Sequence, residues 1–228
     1  MRVLIFGPNG SGKGTQSAIL VKTYSLAHVE SGGIFRENIK GGTELGKEAK
    51  AYIDRGELVP DSITIPMILD RLSRPDCESG WILDGFPRNP AQAKALTESL
   101  EAKDMPLDAV LVIELARDIA KQRLMGRRSC PEGHPNNTAI EAIRPNGEGE
   151  DLFCWKCGAK LSVRKDDVDE AAIDQRLDIY FDEENGTLGS VHEMARWAEA
   201  NPNAKFIRVD GESAIDAVRD AIAAKLNA

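Results

Sequence analysis

MRVLIFGPNGSGKGT, residues 1–15, sets the reading of everything after it. Val3 to Phe6 is a short apolar run of the kind that forms a buried strand. It feeds Gly7 to Gly14, a G-x-x-x-x-G-K phosphate loop with Thr15 one place beyond. Gly7, Gly10, Gly12 and Gly14 carry no Cβ, so the backbone can curl and turn its N–H groups toward oxygen anions. A helix expected over about Gly14 to Thr23 aims its positive end at the same place. Lys13 adds a mobile point charge suited to the outer phosphates of a nucleotide. Thr15, or the loop hydroxyl of Ser11, is placed to reach a magnesium ion or its waters. An ordinary glycine-rich turn would not require strand, loop, lysine and helix in this order.

Composition narrows the rest. The chain has 228 residues and a formal charge of −8, enough for one α/β core with inserted lobes and unsuited to nonspecific nucleic-acid or membrane-surface binding. No apolar run is long enough to span a bilayer, and the first strand flows into the phosphate loop without a signal peptide, so a cytoplasmic protein is expected. Four cysteines in such a chain suggest metal before disulfide.

Downstream, Leu26 to Gly33 reads as a short connection, with Ser31 capping a helix over Gly32 to Lys40 that carries Arg36. A second helix is expected over Leu45 to Arg55, stopped by Gly56. After the turn at Glu57 to Pro60, Asp61 can cap an amphipathic helix over Ser62 to Leu72. Trp81 to Leu83 reads as a buried strand with Asp84 at its carboxyl end, where open α/β sheets gather their ligands. Asp84 is therefore a candidate to hold magnesium through its waters. Arg88, just beyond Gly85, Phe86 and Pro87, offers a planar fork that matches phosphate. Helices are expected over Pro90 to Lys103, Asp118 to Gly126, Val168 to Glu184, Val191 to Ala200 and Ser213 to Leu226. Strands are expected over Ala109 to Glu114 and Phe206 to Val209. The alternation implies a parallel sheet with helices on both faces. Two stretches break the rhythm, Glu30 to Val59 with helices and no strand, and Arg127 to Lys165 with turn formers and cysteines; both read as lobes inserted at the ligand edge.

Cys130-x3-His134 and Cys154-x2-Cys157 are two ligand pairs at knuckle spacing. Three thiolates and an imidazole complete a closed tetrahedral set with no open position, which is a structural metal site. Zinc is the default occupant, and iron or cobalt fits the same donors. The segment has little apolar material of its own, so a metal would staple it. Cys77 stands alone and reads as a packed thiol; His28 and His192 have no partners in sequence.

GPNGSGKGTQ, ESGGIFR, GELVPD, GWILDGFPR with Gln92, the R-x3-R of Arg123 and Arg127, and VRKDD at 163–167 follow one another as in bacterial-type adenylate kinases of the long-lid kind, and the resemblance covers nearly the whole chain. It implies an α/β fold: a P-loop parallel sheet core flanked by helices (1–29, 60–125 and 166–228), a helical lobe for the nucleoside monophosphate (30–59) and a metal-binding lid (126–165). By matching position, Gly10, Ser11, Gly12, Lys13, Gly14, Thr15, Arg123, Arg127 and Ser213 would hold ATP. Ser31, Arg36, Glu57, Leu58, Val59, Gly85, Phe86, Pro87, Arg88 and Gln92 would hold AMP. Arg164 and Arg176 would reach the phosphates being exchanged. Lys13, Asp84, Arg88, Arg123, Arg127, Arg164 and Arg176 would form the catalytic group. Glu30-Ser31-Gly32-Gly33 replaces the commoner S-T-G-D, and the acid missing at Gly33 leaves Asp84 as the magnesium candidate.

The resemblance implies the reaction Mg-ATP + AMP ⇌ 2 ADP, magnesium arriving with ATP, in a monomer with no nucleic-acid or membrane partner. Another nucleoside monophosphate as acceptor is the nearest alternative, because Ser31 and Gly33 alter the acceptor lobe. A zinc module for nucleic acid on an ATP-binding core is an alternative of another class, weakened by the acidic whole and by only Phe153 and Trp155 as stacking candidates. An ATPase switch without a phosphate acceptor is disfavoured by the DGFPR stretch.

Overall fold

The structure, a computed structural model, describes residues 1–53, 59–164 and 167–228. In chain order the first half comprises β1 (Arg2–Phe6), α1 (Lys13–Tyr24), β2 (Ala27–Glu30), α2 (Ser31–Gly41), α3 (Glu44–Ile53), α4 (Asp61–Leu72), β3 (Trp81–Asp84), α5 (Pro90–Ala102) and β4 (Ala109–Glu114). The second half comprises α6 (Arg117–Gly126), β5 (Arg127–Ser129), β6 (Pro135–Asn137), β7 (Asn146–Glu148), β8 (Asp151–Phe153), α7 (Glu170–Phe181), α8 (Thr187–Ala200), β9 (Lys205–Asp210) and α9 (Ile215–Asn227).

Five strands form one parallel sheet in the order β2-β3-β1-β4-β9. Its apolar side chains divide by the two-residue period of a strand. Leu4 and Phe6 of β1 and Val110 and Val112 of β4 join one buried cluster; Val3, Ile5, Ala109, Leu111 and Ile113 join another. Both faces of the sheet are therefore covered, as a parallel sheet requires. The first cluster takes in α4, α5 and α8 through Met67, Leu96 and Met194; the second takes in α1 and α9 through Leu20 and Ile222.

Register places the site. Ile5 pairs with Asp84, and Asp84 in turn with Glu30. The carboxyl ends of β1, β2 and β3 thus lie side by side, and the phosphate loop, Ser31 and Gly85 emerge together. α2, which starts at this edge, and α3 pack on each other and on α4. The cysteine segment forms two small antiparallel hairpins, β5–β6 and β7–β8. Among the described residues its buried cluster is Leu152, Cys154 and Leu161, with Cys130 packed against it.

Several expectations need correction. Ala27 to Glu30 is an edge strand, not a connection; AHVE holds a single buried residue, Val29, so it carries no apolar run. Ser31 is the first residue of α2 rather than its cap, because its hydroxyl donates to the Gly85 carbonyl instead. Asp61 likewise begins α4, its carboxylate engaged by Asn89 and Gln92. The helix expected over Val168 to Glu184 is shorter at both ends: Asp169 caps it by accepting from the Ala171 N–H, and Asp182 ends it by accepting from the N–H groups of Glu184 and Asn185. The last helix starts at Ile215 rather than Ser213. The expected end of the second lobe helix beyond Ile53, the stop at Gly56, the contacts of Glu57 and Leu58, and Lys165 and Asp166 of VRKDD lie outside the described residues.

Candidate active site

A single cavity of about 840 Å³ opens at the carboxyl edge of the sheet. Gly10, Gly12, Lys13, Gly14 and Thr15 line it from the phosphate loop; Ser31, Arg36, Gly85, Phe86, Pro87 and Arg88 line it from α2 and the turn after β3. Asp84 lies between these two walls. Arg123, Arg127, Arg164 and Arg176 close the remaining side, together with Arg128.

The loop curls because Gly10 and Gly12 take positive φ, 93° and 91°, a region that costs residues with a Cβ. Gly12 and Gly14 face open space, so a ligand can approach their backbone closely. Lys13 Nζ donates to the carbonyls of Gly7 at 2.5 Å and Pro8 at 3.1 Å, which parks the ammonium over the loop. Burial pushes this ammonium below the usual lysine range; the Asp84 carboxylate opposes that, and Arg88 and Arg127 add to it. Ser11 Oγ is buried with no hydrogen-bond partner among the described residues. Ser11 is not among the residues that line the cavity.

Burial pushes the Asp84 carboxyl up from its ordinary value, against the pull of Lys13. Burial likewise lowers Arg88, which Asp84 and Glu30 counteract. Arg88 Nε donates to Gly85 O at 2.8 Å, so the guanidinium is oriented before any ligand arrives. Arg36 Nη2 rests on Glu30 Oε2 at 3.2 Å.

Arg123 Nη1 donates to Gly211 O at 2.7 Å, which ties α6 to the turn after β9. Arg127 and Arg176 share one carboxylate. Arg127 reaches Asp167 with Nε at 2.7 Å and Nη2 at 2.8 Å, and Arg176 Nη2 reaches the same group at 3.0 Å. Although burial alone would raise it, the two guanidinium groups hold the Asp167 carboxyl below the usual range. Sequence reasoning gave Asp167 no role; its only signal was a place at the end of the VRKDD run. The remaining expected contacts lie off the cavity lining. Ser213 Oγ donates to Asp210 Oδ2 at 3.2 Å, Gln92 is buried behind hydrogen bonds to Arg88 and Asp61, and the Val59 carbonyl accepts from Thr64.

In the hairpin segment, the ligand atoms of Cys130, His134, Cys154 and Cys157 lie within 4.8 Å of one another. Cys130 Sγ is 3.7 Å from His134 Nδ1 and 3.5 Å from Cys157 Sγ; Cys154 Sγ is 3.8 Å from His134 Nδ1. A tetrahedron with metal–sulfur bonds of about 2.3 Å and a metal–nitrogen bond of about 2.0 Å has edges of roughly 3.5–3.8 Å. The donor set thus fits a metal ion. Burial acts to raise the Cys154 thiol, but the N–H of Cys157, the Asn136 amide and the N–H of Lys156 together bring it down to about 6. Asn136, unnoticed in the sequence, donates to both His134 O at 2.9 Å and Cys154 Sγ at 3.3 Å and orients the two ligand pairs. Cys77 is buried and accepts from Arg71 Nη1 at 3.0 Å, as a packed thiol would. Among the described residues no helix is long and apolar enough to cross a membrane.

Comparison with known proteins agrees with this geometry. The family model described as adenylate kinase matches residues 5–193. An adenylate kinase of Desulfosudis oleivorans is 55% identical over 228 residues, covering 99% of this chain and 100% of that protein. Those of Nitratidesulfovibrio vulgaris Hildenborough and Desulforapulum autotrophicum are 54% and 52% identical, the first over 100% of both chains and the second over 99% of this one and 100% of its own. With a phosphate loop, a DGFPR turn and converging arginines at one sheet edge, and a family match across most of its length, this chain belongs to the adenylate kinase family.

Proposed function

We propose that the cavity carries out the family's reaction, Mg-ATP + AMP ⇌ 2 ADP, with the residue roles that follow. Lys13 and the N–H groups of Gly10 to Thr15 hold the phosphates of ATP, and Arg123 and Arg127 close over them. Arg88 and Arg36 hold the phosphate of AMP, with Ser31, Val59, Gly85, Phe86, Pro87 and Gln92 around the nucleoside. Arg164 and Arg176 face the phosphoryl group in transit. The observation that supports this reading is the convergence of Lys13 and seven arginines (Arg36, Arg88, Arg123, Arg127, Arg128, Arg164 and Arg176) on one cavity in a chain of net charge −8.

The acceptor needs no protein base, since the second pKa of a phosphate monoester is about 6 and its oxygen is already anionic at neutral pH. Catalysis is then alignment and charge neutralisation by prearranged cations. Magnesium arriving with ATP would supply further neutralisation, and Asp84, on the cavity lining, is the residue that would hold it through its waters. Closure of the 126–165 segment over the core excludes water, which would otherwise accept the phosphoryl group.

The four-residue cluster is assigned to zinc as a closed structural site. Metal analysis of purified protein is expected to give one zinc per chain; iron or cobalt in its place would change the assignment. Thiolate ligands fit a reducing cytoplasm, and the expected monomer is checked by sedimentation. Substrate choice is tested by Mg-ATP turnover with AMP, GMP, CMP and UMP offered separately. Rapid ADP formation with AMP alone is expected, and a preference for another acceptor would overturn the substrate assignment.

A further inference from the structure

Gln92 lies in the first turn of α5 and is buried, one hydrogen bond from the cavity-lining Arg88. Its side-chain amide is held at both ends. Oε1 accepts the Arg88 backbone N–H at 2.8 Å, and Nε2 donates to Asp61 Oδ1 at 2.6 Å. A backbone N–H only donates and an ionised carboxylate only accepts. Each partner therefore demands the same orientation, carbonyl toward Arg88 and amino group toward Asp61. Asn89, the N-cap of α5, is fixed in the same way: its Oδ1 accepts the Gln92 N–H at 2.8 Å and its Nδ2 donates to Asp61 Oδ2 at 3.3 Å. Turning the Gln92 amide over would set N–H against N–H at Arg88 and oxygen against oxygen at Asp61. Both bonds would be lost in a buried place, where unpaired polar groups are costly.

A primary amide has two donor hydrogens and two acceptor lone pairs. The contacts with Arg88 and Asp61 use one of each, so one donor and one acceptor remain. That remaining pair suits the 1,6 edge of a purine. A 6-aminopurine offers an acceptor at N1 and a donor at the amino group; a 6-oxopurine offers the reverse. A glutamine free to turn over would serve both, and a fixed one serves a single order.

We propose that Asp61 is a specificity-determining residue of the acceptor site: by holding the Gln92 amide in one orientation, it admits a 6-aminopurine nucleotide and rejects a 6-oxopurine one. The inference rests on the reading of Gln92 as part of the AMP site. Asp61 acts through Gln92, so it is a positioning residue, and the discrimination comes from leaving the wrong base with unpaired buried groups.

The test measures kcat/KM for AMP and for inosine 5′-monophosphate, at saturating Mg-ATP, in the unmodified chain, Asp61→Asn and Gln92→Leu. Asparagine keeps the shape of Asp61 but can present a donor or an acceptor, so it removes one of the two bonds that oppose the inverted amide and leaves only the Arg88 N–H against it. The preference for AMP is expected to fall about tenfold or more in Asp61→Asn, while the KM for Mg-ATP stays near its original value. A merely structural role would lower kcat/KM for both acceptors together and leave their ratio unchanged, which overturns the proposal. Loss of preference in Gln92→Leu with full preference in Asp61→Asn also overturns it. An unchanged preference in Gln92→Leu instead removes the reading of Gln92 on which it rests. If Asp61→Asn does not fold, Asp61→Ser, whose hydroxyl also donates or accepts, is read in the same assay with the same criteria.

Discussion

Lys13 and Asp167 are the single residues on which the electrostatics of the cavity turn. Lys13 is held over the phosphate loop by two carbonyls and is enclosed with Asp84, Arg88 and Arg127 nearby. Lys13→Met is expected to lower kcat by about 10²- to 10³-fold or more with an unchanged far-ultraviolet spectrum; near-normal turnover would remove its role. Because burial depresses the ammonium, the alkaline limb of kcat/KM, which reports the free enzyme, is expected below the ordinary lysine value of about 10.4. Asp167 has a side chain that is 0% exposed, between Arg127 and Arg176, themselves 28% and 26% exposed. Its folded value is depressed, so the stability it contributes is full above the unfolded carboxylate value of about 3.9 and is lost as pH falls through the lower folded value. Asp167→Asn is expected to cost about 2 kcal/mol at pH 7, less than a fully buried broken pair because the cavity hydrates both guanidinium groups. Urea denaturation at pH 7 and pH 3 checks this: the gap between the two proteins should shrink at the lower pH.

Among the elements, the two hairpins β5–β6 and β7–β8 depend most on something other than packing. The small cluster of Leu152, Cys154 and Leu161, with Ile143 the further buried apolar residue described in the segment, cannot hold a lobe of this length on its own. On the proposed reading a metal ion held by the Cys/His cluster supplies the missing constraint, and Asn136, bonded to His134 O and Cys154 Sγ, orients its ligands. Cys154→Ser is expected to reduce bound metal below one per chain and to lower the thermal midpoint, by about 2–4 °C for each kcal/mol lost, measured by calorimetry beside metal analysis. Turnover by the folded fraction should fall less than stability does. Folded, metal-free protein with no activity at all would contradict a purely structural role. The sequence disclosed the ligand pairs through their spacing, because metal geometry imposes short, fixed separations. It hid Asn136, since nothing in a string marks one asparagine as bonding to the sulfur of a cysteine eighteen positions away. The edge strand β2 was hidden for a related reason: with one buried residue in four it shows no periodicity, and its backbone pairing with β3 alone makes it a strand.

At the scale of the whole molecule, the parallel sheet is the frame that brings distant segments to one edge. Leu111 is fully buried in β4, between β1 and β9. Leu111→Ala is expected to destabilise the protein by about 2–5 kcal/mol in urea titrations, while the KM values of the folded protein for ATP and AMP stay close to the original. A large rise in either KM would mean that the site is not insulated from the core by the sheet. The arginines show why the frame matters. Arg88 follows β3, Arg123 closes α6, Arg127 begins β5 and Arg176 lies within α7. They meet because the turn after β3, the last turn of α6, the start of β5 and the body of α7 all face the cavity at the carboxyl edge of the sheet.

The sequence by itself determined the phosphate loop, the order of the buried strands β1, β3, β4 and β9 and their helices, the spacing of the cysteine and histidine pairs and the family resemblance. These are local patterns: a glycine-lysine spacing, an apolar run or a cysteine pair is complete within a few residues, and its physical reason travels with it. Only the tertiary structure decided which hydroxyl caps and which one crosses to another segment, as Ser31 does to Gly85. It also decided that Asp167 joins Arg127 to Arg176, and that Asp61 and Arg88 fix the two ends of Gln92. A polar side chain takes the partner that is nearest when burial removes water, and which partner is nearest is set by the packing of the whole sheet and its helices rather than by the neighbours in the chain.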